Sequence, residues 1–390
     1  MSLPAPDPAA LEHGNRLHEH IVRSIEGAGG WISFARYMEL ALYTPALGYY
    51  CGGPRKFGAS GDFVTAPEIS PLFARTLAIQ VAQIMAASAP DIIEAGAGSG
   101  ALAAELLLEL ARRDALPERY AILELSGELR QRQRETLAER APQLAGRVVW
   151  LDALPESFSG VVVGNELLDA LPVHLVVWRE TGDAAGKEAG IAERGVALNA
   201  AGRIEWQERP AKGALLAAAQ ALPVAAPFVS EINLAARAWT AEWGRILKQG
   251  VLLLIDYGFP QGEYYHPQRS AGTLMCHYRH HAHGDPFWMP GLNDITAHVD
   301  FTAVIEAGHD AGLALLGYTT QAQFLLNCGI TDLLARCLPD EPALYMPLAA
   351  GVQKLIGPAG MGELFKVMAL GRNLAEPLIG FRSGDRSHAL

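Results

Sequence analysis

The sequence predicts an α/β protein built on a doubly wound parallel sheet, and three observations lead to this fold class. Half of the 390 residues are apolar and 19% are charged, which is typical of a chain that folds around a large core. Short apolar runs of strand length alternate with segments of helical spacing, the pattern of successive βαβ units. A glycine-rich turn, Glu94-Ala-Gly96-Ala-Gly98-Ser-Gly100, separates one such run from the helix that follows it.

Helices are predicted before the sheet begins. Apolar residues from Leu17 to Leu42 recur at helical spacing, and a cluster of glycines divides this segment into two helices. The stretch Cys51–Asp62 is rich in glycine and polar residues, which predicts a loop. A third helix is predicted from Thr65 to Ala87, because a proline and a glutamate lie close to its start.

The rest of the chain alternates between strands and helices. Strands are predicted at residues 91–95, 120–125, 148–151, 160–164, 174–179, 203–207, 227–231, 250–256 and 364–370, and helices at 101–112, 126–139, 234–248, 301–311 and 321–337. The segment 257–300 is rich in Gly, Pro and His, and a loop of that length usually has a function. We expect an N-terminal helical region at 1–60, a cofactor-binding core at 61–260 with a helical insertion at about 208–248, and a C-terminal region at 261–390 that completes a substrate cleft.

Charge and hydropathy exclude several classes of partner. The net charge of −11 argues against nucleic acid, because binding to phosphates needs a basic surface. No apolar run approaches the ~20 residues of a membrane-spanning helix, so no membrane insertion is expected. The N-terminus lacks the features of a targeting segment. Arginine far exceeds lysine and alanine is abundant, which suggests a GC-rich bacterial genome. We therefore expect a protein of the bacterial cytoplasm.

The cysteines and histidines predict neither a disulfide nor a metal site. The cysteines are Cys51, Cys276, Cys328 and Cys337. None forms a CxxC pair, and so few cysteines in a chain of this length favour reduced thiols. Histidines at positions 277, 280, 281 and 283 follow Cys276, but their spacing matches no known zinc motif, and no metal is expected.

The glycine-rich turn predicts a cofactor site. Gly96, Gly98 and Gly100 allow the backbone to turn tightly and to approach a ligand without clashing with a Cβ atom. The helix that follows offers free N–H groups to an anionic group. The spacing also fits a dinucleotide fingerprint. Glu94 favours S-adenosylmethionine instead, because a carboxylate before the turn can hold the amino end of a methionine moiety and gains nothing from a pyrophosphate.

Acidic residues at the ends of the next two strands extend the predicted cofactor site. Glu124, followed closely by Ser126, can accept hydrogen bonds from both ribose hydroxyls. Asp152, followed by Ala153, can accept one from the adenine amino group. Alternatively, Glu124 caps a helix and Asp152 belongs to a turn. Acids after three consecutive strands beside one glycine loop favour the cofactor interpretation.

Beyond this motif, the sequence resembles the mitochondrial dysfunction protein A family, the complex I assembly methyltransferases. The blocks that carry the resemblance are Tyr43-Thr-Pro-Ala-Leu-Gly-Tyr-Tyr50, Gly61-Asp-Phe-Val-Thr-Ala-Pro-Glu-Ile-Ser-Pro71, the glycine loop, Gly164-Asn-Glu-Leu-Leu-Asp-Ala-Leu-Pro172, Leu254-Ile-Asp-Tyr-Gly258, Gly272-Thr-Leu-Met-Cys276 and Asp294-Ile-Thr-Ala-His-Val-Asp-Phe301. The resemblance implies a Rossmann-like class I methyltransferase sheet with added N-terminal helices and an inserted, partly helical substrate region. It also implies a protein methyltransferase that uses S-adenosylmethionine, with an arginine of a complex I subunit or a similar protein as the acceptor.

Candidate catalytic residues lie after the predicted strand 160–164. A guanidinium acceptor needs carboxylates that orient it and localise its charge. Glu166 could hold the acceptor, Asn165 could contact cofactor or substrate, and Asp169 lies one turn further along. The alternative is a helix start, with Asn165 as its cap and the two acids favoured by the helix dipole.

Further residues are predicted around the cofactor and the acceptor. Gly61, Asp62 and Thr65 would close over the cofactor. The predicted substrate-binding residues are Tyr257, His281, Asp294 and His298. For the residues that would close over the cofactor, an ordinary turn is an equal alternative. For the predicted substrate-binding residues, a surface loop with a core-facing histidine is an equal alternative.

Two other functions remain open at the level of sequence. One is an NAD-type oxidoreductase, and the other is an assembly factor that binds the cofactor but acts as a chaperone. The oligomeric state is not determined by the sequence.

Overall fold

A computed structural model describes residues 3–52, 64–180, 190–336 and 342–390. Most of the predicted loop Cys51–Asp62, including Gly61 and Asp62, lies outside the described residues, and so does Cys337. Cys276 and Cys328 are buried free thiols. In the part of the chain that is described, no helix is long and apolar enough to cross a bilayer.

The strands follow the chain in this order: β1 (Trp31–Ser33), β2 (Asp91–Ala95), β3 (Arg119–Leu123), β4 (Val148–Leu151), β5 (Phe158–Asn165), β6 (His174–Arg179), β7 (Gly190–Leu198), β8 (Ile204–Pro210), β9 (Phe228–Ile232), β10 (Leu247–Phe259), β11 (Met275–Tyr278), β12 (His281–His283), β13 (Asp294–Thr296), β14 (Val299–Asp300), β15 (Ala314–Thr320) and β16 (Phe365–Arg372).

The α-helices are α1 (Pro8–Gly27), α2 (Phe34–Tyr43), α3 (Ala66–Ile69), α4 (Pro71–Ala87), α5 (Ala101–Arg112), α6 (Gly127–Arg140), α7 (Gly213–Ala221), α8 (Leu234–Ile246), α9 (Gln261–Tyr264), α10 (Phe301–Asp310), α11 (Gln321–Asn327), α12 (Ile330–Ala335) and α13 (Pro342–Ile356). The predicted helix Thr65–Ala87 is divided at Ser70, whose extended backbone separates α3 from α4.

The central sheet confirms the predicted doubly wound fold. Its strands lie in the order β15-β16-β10-β5-β2-β3-β4, and those from β10 to β4 are parallel. Strand β16 runs antiparallel to both of its neighbours. Helices cover both faces, as side chains of β5 show: Val161 and Val163 pack in one apolar cluster with α4 and α5, and Val162 packs in the opposite cluster with α8. Burial on both faces explains why these strands are continuous apolar runs.

A second sheet combines β1 with four strands, β6 to β9, that are inserted in the chain between β5 and β10. Its strands, β1-β7-β6-β9 with β8 beside β7, are all antiparallel. The expected helical insertion at 208–248 does contain α7 and α8, but the end of β8 and all of β9 lie in the same range. The sequence did not indicate β1 or β7. Strand β1 has three residues, and β7 carries charged and glycine residues without an alternating apolar pattern.

The segment 257–300 is not the loop that its composition predicted. Strands β12, β11 and β13 form a small antiparallel sheet, and β14 pairs with the end of β10. This segment covers one side of the carboxyl edge of the central sheet. Its strands are two to four residues long, which is too short for a periodic signal.

Glu231 fastens this segment to the inserted sheet. Its buried carboxylate accepts hydrogen bonds from the N–H groups of Thr273 and Leu274, at 2.9 Å each, and from the Tyr264 hydroxyl at 3.1 Å. A Cβ on Gly272 would lie 2.4 Å from this carboxylate, and φ of Gly272 is +80°, so glycine is required there.

We expect Glu231→Ala to lower the free energy of unfolding by ~3 kcal/mol, because it leaves several buried donors without an acceptor. Urea unfolding measures the change. The matched control is Glu205→Ala on exposed β8, which should change stability by less than ~0.5 kcal/mol. Equal losses in the two variants would contradict the anchoring role.

Candidate active site

A cavity of about 1250 Å³ opens at the carboxyl edge of the parallel strands. Loops that follow β2, β3, β4 and β5 contribute to its lining, together with Tyr257 of β10. Ligands of doubly wound sheets bind at this edge. The volume exceeds the ~300–1,000 Å³ of a site for one drug-sized ligand, so the cavity has room for a cofactor and for part of a second molecule.

The glycine loop forms the floor of one half of the cavity. Gly96, Gly98 and Gly100 have φ values of +69°, +50° and +83°, which other residues rarely adopt. Gly96 and Gly98, predicted to bind the cofactor, line the cavity. Gly100 lies behind them as the N-terminal cap of α5 and is not part of the lining. The Ser99 hydroxyl donates to the Glu68 carboxylate, which joins the loop to α3.

Glu94 and Glu124 line the cavity on either side of this loop. Glu94 is buried and accepts a hydrogen bond from the Tyr120 hydroxyl at 2.6 Å, and burial raises the pKa of its carboxyl group to about 7. Glu124 accepts the N–H of Ser126 at 2.9 Å, and burial raises its pKa as well. Ser126, also in the lining, caps α6 through its hydroxyl.

Gln133 is a site residue that the sequence did not indicate. Its side-chain amide donates to the Gly98 carbonyl at 3.1 Å and to the Glu124 carboxylate at 3.2 Å. Its amide oxygen accepts from the indole of Trp150 at 2.8 Å. Gln133 therefore sets the position of the glycine loop relative to Glu124. Helix α6 is rich in Glu, Gln and Arg, so nothing in the local sequence distinguishes this glutamine from its exposed neighbours.

Besides Gly100, two predicted residues lie outside the cavity lining. The Asp152 side chain is 89% exposed and forms an ion pair with Arg130 at 2.7 Å, whereas Ala153 beside it does line the cavity. His281 contacts the Arg279 carbonyl through Nδ1 at 2.7 Å, and Ala282 lines the cavity in its place. The assignments of Asp152 to adenine and of His281 to substrate stay predictions.

Asn165, Glu166 and Asp169 lie together in the other half of the cavity. The alternative of a helix start is wrong, because residues 166–171 form a turn without a helix. Glu166 has φ of +51°, a strained value for a non-glycine residue, and such strain is concentrated at functional sites. Its carboxylate accepts from the N–H of Ala66 and the Asn165 amide, at 3.2 Å each.

Asp256, at the end of β10, holds this turn in place. Its Oδ2 accepts the consecutive N–H groups of Leu167, Leu168 and Asp169 at 3.1, 2.8 and 3.3 Å. Three bonds to one carboxylate oxygen fix the direction in which Glu166 and Asp169 leave the backbone. The sequence placed Asp256 in a strand but gave it no role, because its partners are about 90 residues away along the chain.

Burial changes the pKa of the carboxyl groups of Glu166 and Asp169. It raises the pKa of Glu166 to about 8, to which Asp169 contributes, and that of Asp169 to about 6. Oxygen Oδ1 of Asp169 is buried and has no hydrogen-bond partner among the described residues. A cation placed between the two groups would stabilise their charged forms.

These shifts predict how stability depends on pH. The folded state retains a proton on Glu166 that the unfolded state releases between about pH 4.5 and 8, so the free energy of unfolding should fall as pH rises through this window. Glu166→Gln should reduce this slope, so its Tm relative to wild type should be higher at pH 8.5 than at pH 5. Thermal unfolding at both pH values measures the difference. Glu39→Gln, a half-exposed residue at the cavity, is the control; an unchanged slope for Glu166→Gln would contradict the expectation.

Aromatic and acidic side chains line the cavity near Glu166 and Asp169. Tyr257, Asp294 and His298, the other residues predicted to bind substrate, all line the cavity. The Tyr50 hydroxyl donates to Asp294 at 2.8 Å, and the ring of Tyr43 stacks on that of Tyr50 with centroids 5.5 Å apart. Thr65 lines the cavity too, beside α3. In the described residues, no group of three or more His, Cys, Asp or Glu side chains could hold a metal ion.

The residues present fit S-adenosylmethionine. The open glycine backbone accommodates a ligand at close range, and Glu94 and Glu124 offer buried carboxylates to its amino and hydroxyl groups. The doubly wound sheet with this site at its carboxyl edge defines a class I methyltransferase that uses S-adenosylmethionine. Residues 76–319 match the model of the S-adenosyl-L-methionine-dependent methyltransferase family Methyltransf_28, and the chain belongs to this family.

Known proteins resemble the chain over 90% or more of its length. A solved structure from Burkholderia thailandensis with bound S-adenosylhomocysteine is 53% identical, covers 100% of both chains and superposes with a TM-score of 0.95. The mitochondrial protein arginine methyltransferase NDUFAF7 of Mus musculus is 29% identical over 93% of this chain and 86% of its own length. The protein of that name from Homo sapiens is 28% identical over 90% of this chain and 82% of its own length.

Proposed function

We propose that this protein methylates the guanidinium group of an arginine side chain in a protein. The observation that carries the proposal is the acidic pair formed by Glu166, which is partly buried, and Asp169, which is buried. Among the described residues, no lysine or arginine forms a hydrogen bond or an ion pair with either carboxyl group. Buried acids are seldom left without a cation, and an arginine substrate would supply one. The net charge of −11 fits a cationic partner.

The geometry suits a planar guanidinium. Two carboxylates can accept N–H groups from different guanidinium nitrogens, which fixes the plane of the group and localises charge away from the attacking nitrogen. The stacked rings of Tyr43 and Tyr50 provide a flat wall beside Asp294. When bound, S-adenosylmethionine supplies a methyl group on a positively charged sulfur. The chain's own contribution is to align the acceptor and exclude water, and such positioning can supply ~7–11 kcal/mol of the barrier.

The names of the relatives support arginine as the methyl acceptor but do not identify the protein that contains this arginine. The mitochondrial relatives are named protein arginine methyltransferases. We propose, as the family resemblance implies, that the carrier is a subunit of the respiratory NADH dehydrogenase or a similar protein, and that the reaction takes place in the bacterial cytoplasm.

The experiment uses proteins from a strain that lacks this chain. They are incubated with the purified protein and S-adenosylmethionine labelled in its methyl group, and labelled residues are identified by mass spectrometry. We expect methylarginine, and we expect a peptide with lysine in place of that arginine to remain unlabelled. Label on another residue type would overturn the arginine acceptor. Calorimetric titration with S-adenosylhomocysteine and with NAD tests the cofactor separately.

A further inference from the structure

His298 lies between the large cavity and a second, much smaller one. It lines both cavities, and the small one has a volume of about 10 Å³. The polar groups around the small cavity come from β9, α8, α9 and β14, and they include Glu231, Arg237, Tyr264 and Asp300. A volume of this order holds one water molecule, provided that polar partners surround it.

Two buried polar atoms at this cavity lack a partner. Nδ1 of His298 and Oδ2 of Asp300 are buried, and neither has a hydrogen-bond partner among the described residues. The other oxygen of Asp300 caps α10 by accepting the N–H of Ala303 at 3.2 Å. Buried polar atoms are rarely left unsatisfied, and a single water between these two would satisfy both.

The ring of His298 is fixed by its neighbours. It stacks on Phe259 with centroids 5.3 Å apart and planes 10° apart, and it meets Tyr257 edge to face at 5.1 Å. Its backbone N–H donates to the Thr273 hydroxyl at 3.0 Å. These contacts restrain the plane of the imidazole, which has the large cavity on one side and the small polar cavity on the other.

We propose that His298, a buried water and Asp300 form a relay that removes the proton released by methyl transfer. This inference rests on the proposed function. As the new N–C bond forms and the S–C bond breaks with its electron pair on sulfur, the attacking nitrogen gains positive charge and its N–H becomes strongly acidic. The proton passes to the imidazole and then through the water to the Asp300 carboxylate, and Asp300, a partly exposed residue, passes it on to solvent.

The charges around the two groups favour this direction of transfer. Burial and the cations of Arg269 and Lys366 lower the pKa of His298 to about 4. Burial raises the pKa of Asp300 to about 6, with Glu306 adding to the rise and Arg237 opposing it. A proton on His298 is therefore more stable on Asp300. His298 carries the proton briefly and remains neutral, so that it does not repel a cationic substrate.

The first test does not depend on activity. A high-resolution crystal structure of the full chain with S-adenosylhomocysteine should show a water within hydrogen-bonding distance of His298 Nδ1 and Asp300 Oδ2. A dry cavity would overturn the relay, whatever the acceptor of the reaction.

The second test uses Asp300→Asn, which keeps an oxygen for the cap of α10 but cannot take the proton. We expect kcat to fall ~10- to 100-fold, with unchanged KM for the acceptor and unchanged Kd for S-adenosylhomocysteine. The wild-type kcat should rise with pH through about 6, as Asp300 ionises, and the variant should lack this rise. Asp300→Glu should restore part of kcat, and Asp332→Asn in α12 is the control.

The outcomes separate the two proposals. A wild-type protein that methylates arginine, with Asp300→Asn retaining full kcat and the same pH profile, would overturn the relay alone. A wild-type protein that methylates another residue would overturn the proposed acceptor, while the structural water would still be tested.

Discussion

Glu166→Gln should lower kcat for arginine methylation by ~100- to 1,000-fold while leaving the affinity for S-adenosylhomocysteine within about twofold of wild type. The amide keeps the shape of the side chain and can still accept the N–H of Ala66. It cannot carry the negative charge that orients a guanidinium. Single-turnover methylation measures the rate, and calorimetric titration measures the cofactor affinity.

Glu39→Gln is the matched control for this variant. Glu39 also lines the cavity, but it is half exposed and paired with Arg36 at 2.7 Å, so its kcat should match wild type. If Glu166→Gln methylated arginine at the wild-type rate, the carboxylate pair would have no part in catalysis. The protein would then have to hold its acceptor by other groups.

Gly100→Val should weaken binding of S-adenosylhomocysteine by ~30-fold or more, although Gly100 does not line the cavity. The backbone there has φ of +83°, which a β-branched residue tolerates poorly, and the added Cβ would lie 3.0 Å from the Cα atom of Gln133. Displacing Gln133 loosens its bonds to the Gly98 carbonyl and to Glu124 together. Calorimetric titration of the folded variant gives the loss directly.

Gly127→Val tests whether this loss is specific. Gly127 is the first residue of α6, its backbone is not in the left-handed region, and a Cβ there would meet nothing within 4 Å. We expect its affinity to stay within about threefold of wild type. Similar losses in both variants would show that the position of Gln133 does not control the cofactor site.

Much of the cofactor site was predictable because its determinants are local. A strand, a glycine turn and a helix follow one another within about 20 residues, and each has its own signal in composition or period. Glu94, Gly96, Gly98, Glu124 and Ser126, which were predicted to bind the cofactor, all line the cavity. Asp152 follows the same local rule, yet its side chain pairs with Arg130 on the surface, because a strand end fixes the backbone position and not the side-chain direction.

The part of the cavity around Glu166 and Asp169 was predictable only in part. Glu166, Asp169, Asp294 and His298 were predicted and do meet at the cavity, but the reason that they meet is not local. Strand β10 brings Asp256 beneath the turn that carries Glu166, and its pairing with β14 brings His298 beside Tyr257.

The sequence by itself determined the fold class, the glycine loop and the strands that carry the buried acids. Those features depend on hydrophobic period, on turn chemistry and on glycine's freedom at positive φ, all of which act between neighbours in the chain. The tertiary structure decided the rest: the inserted antiparallel sheet, the roles of Gln133 and Asp256, and the two cavities that share His298. Hydrogen bonds between residues far apart in sequence, and the burial that changes a carboxyl group's pKa, exist only once the sheets have assembled.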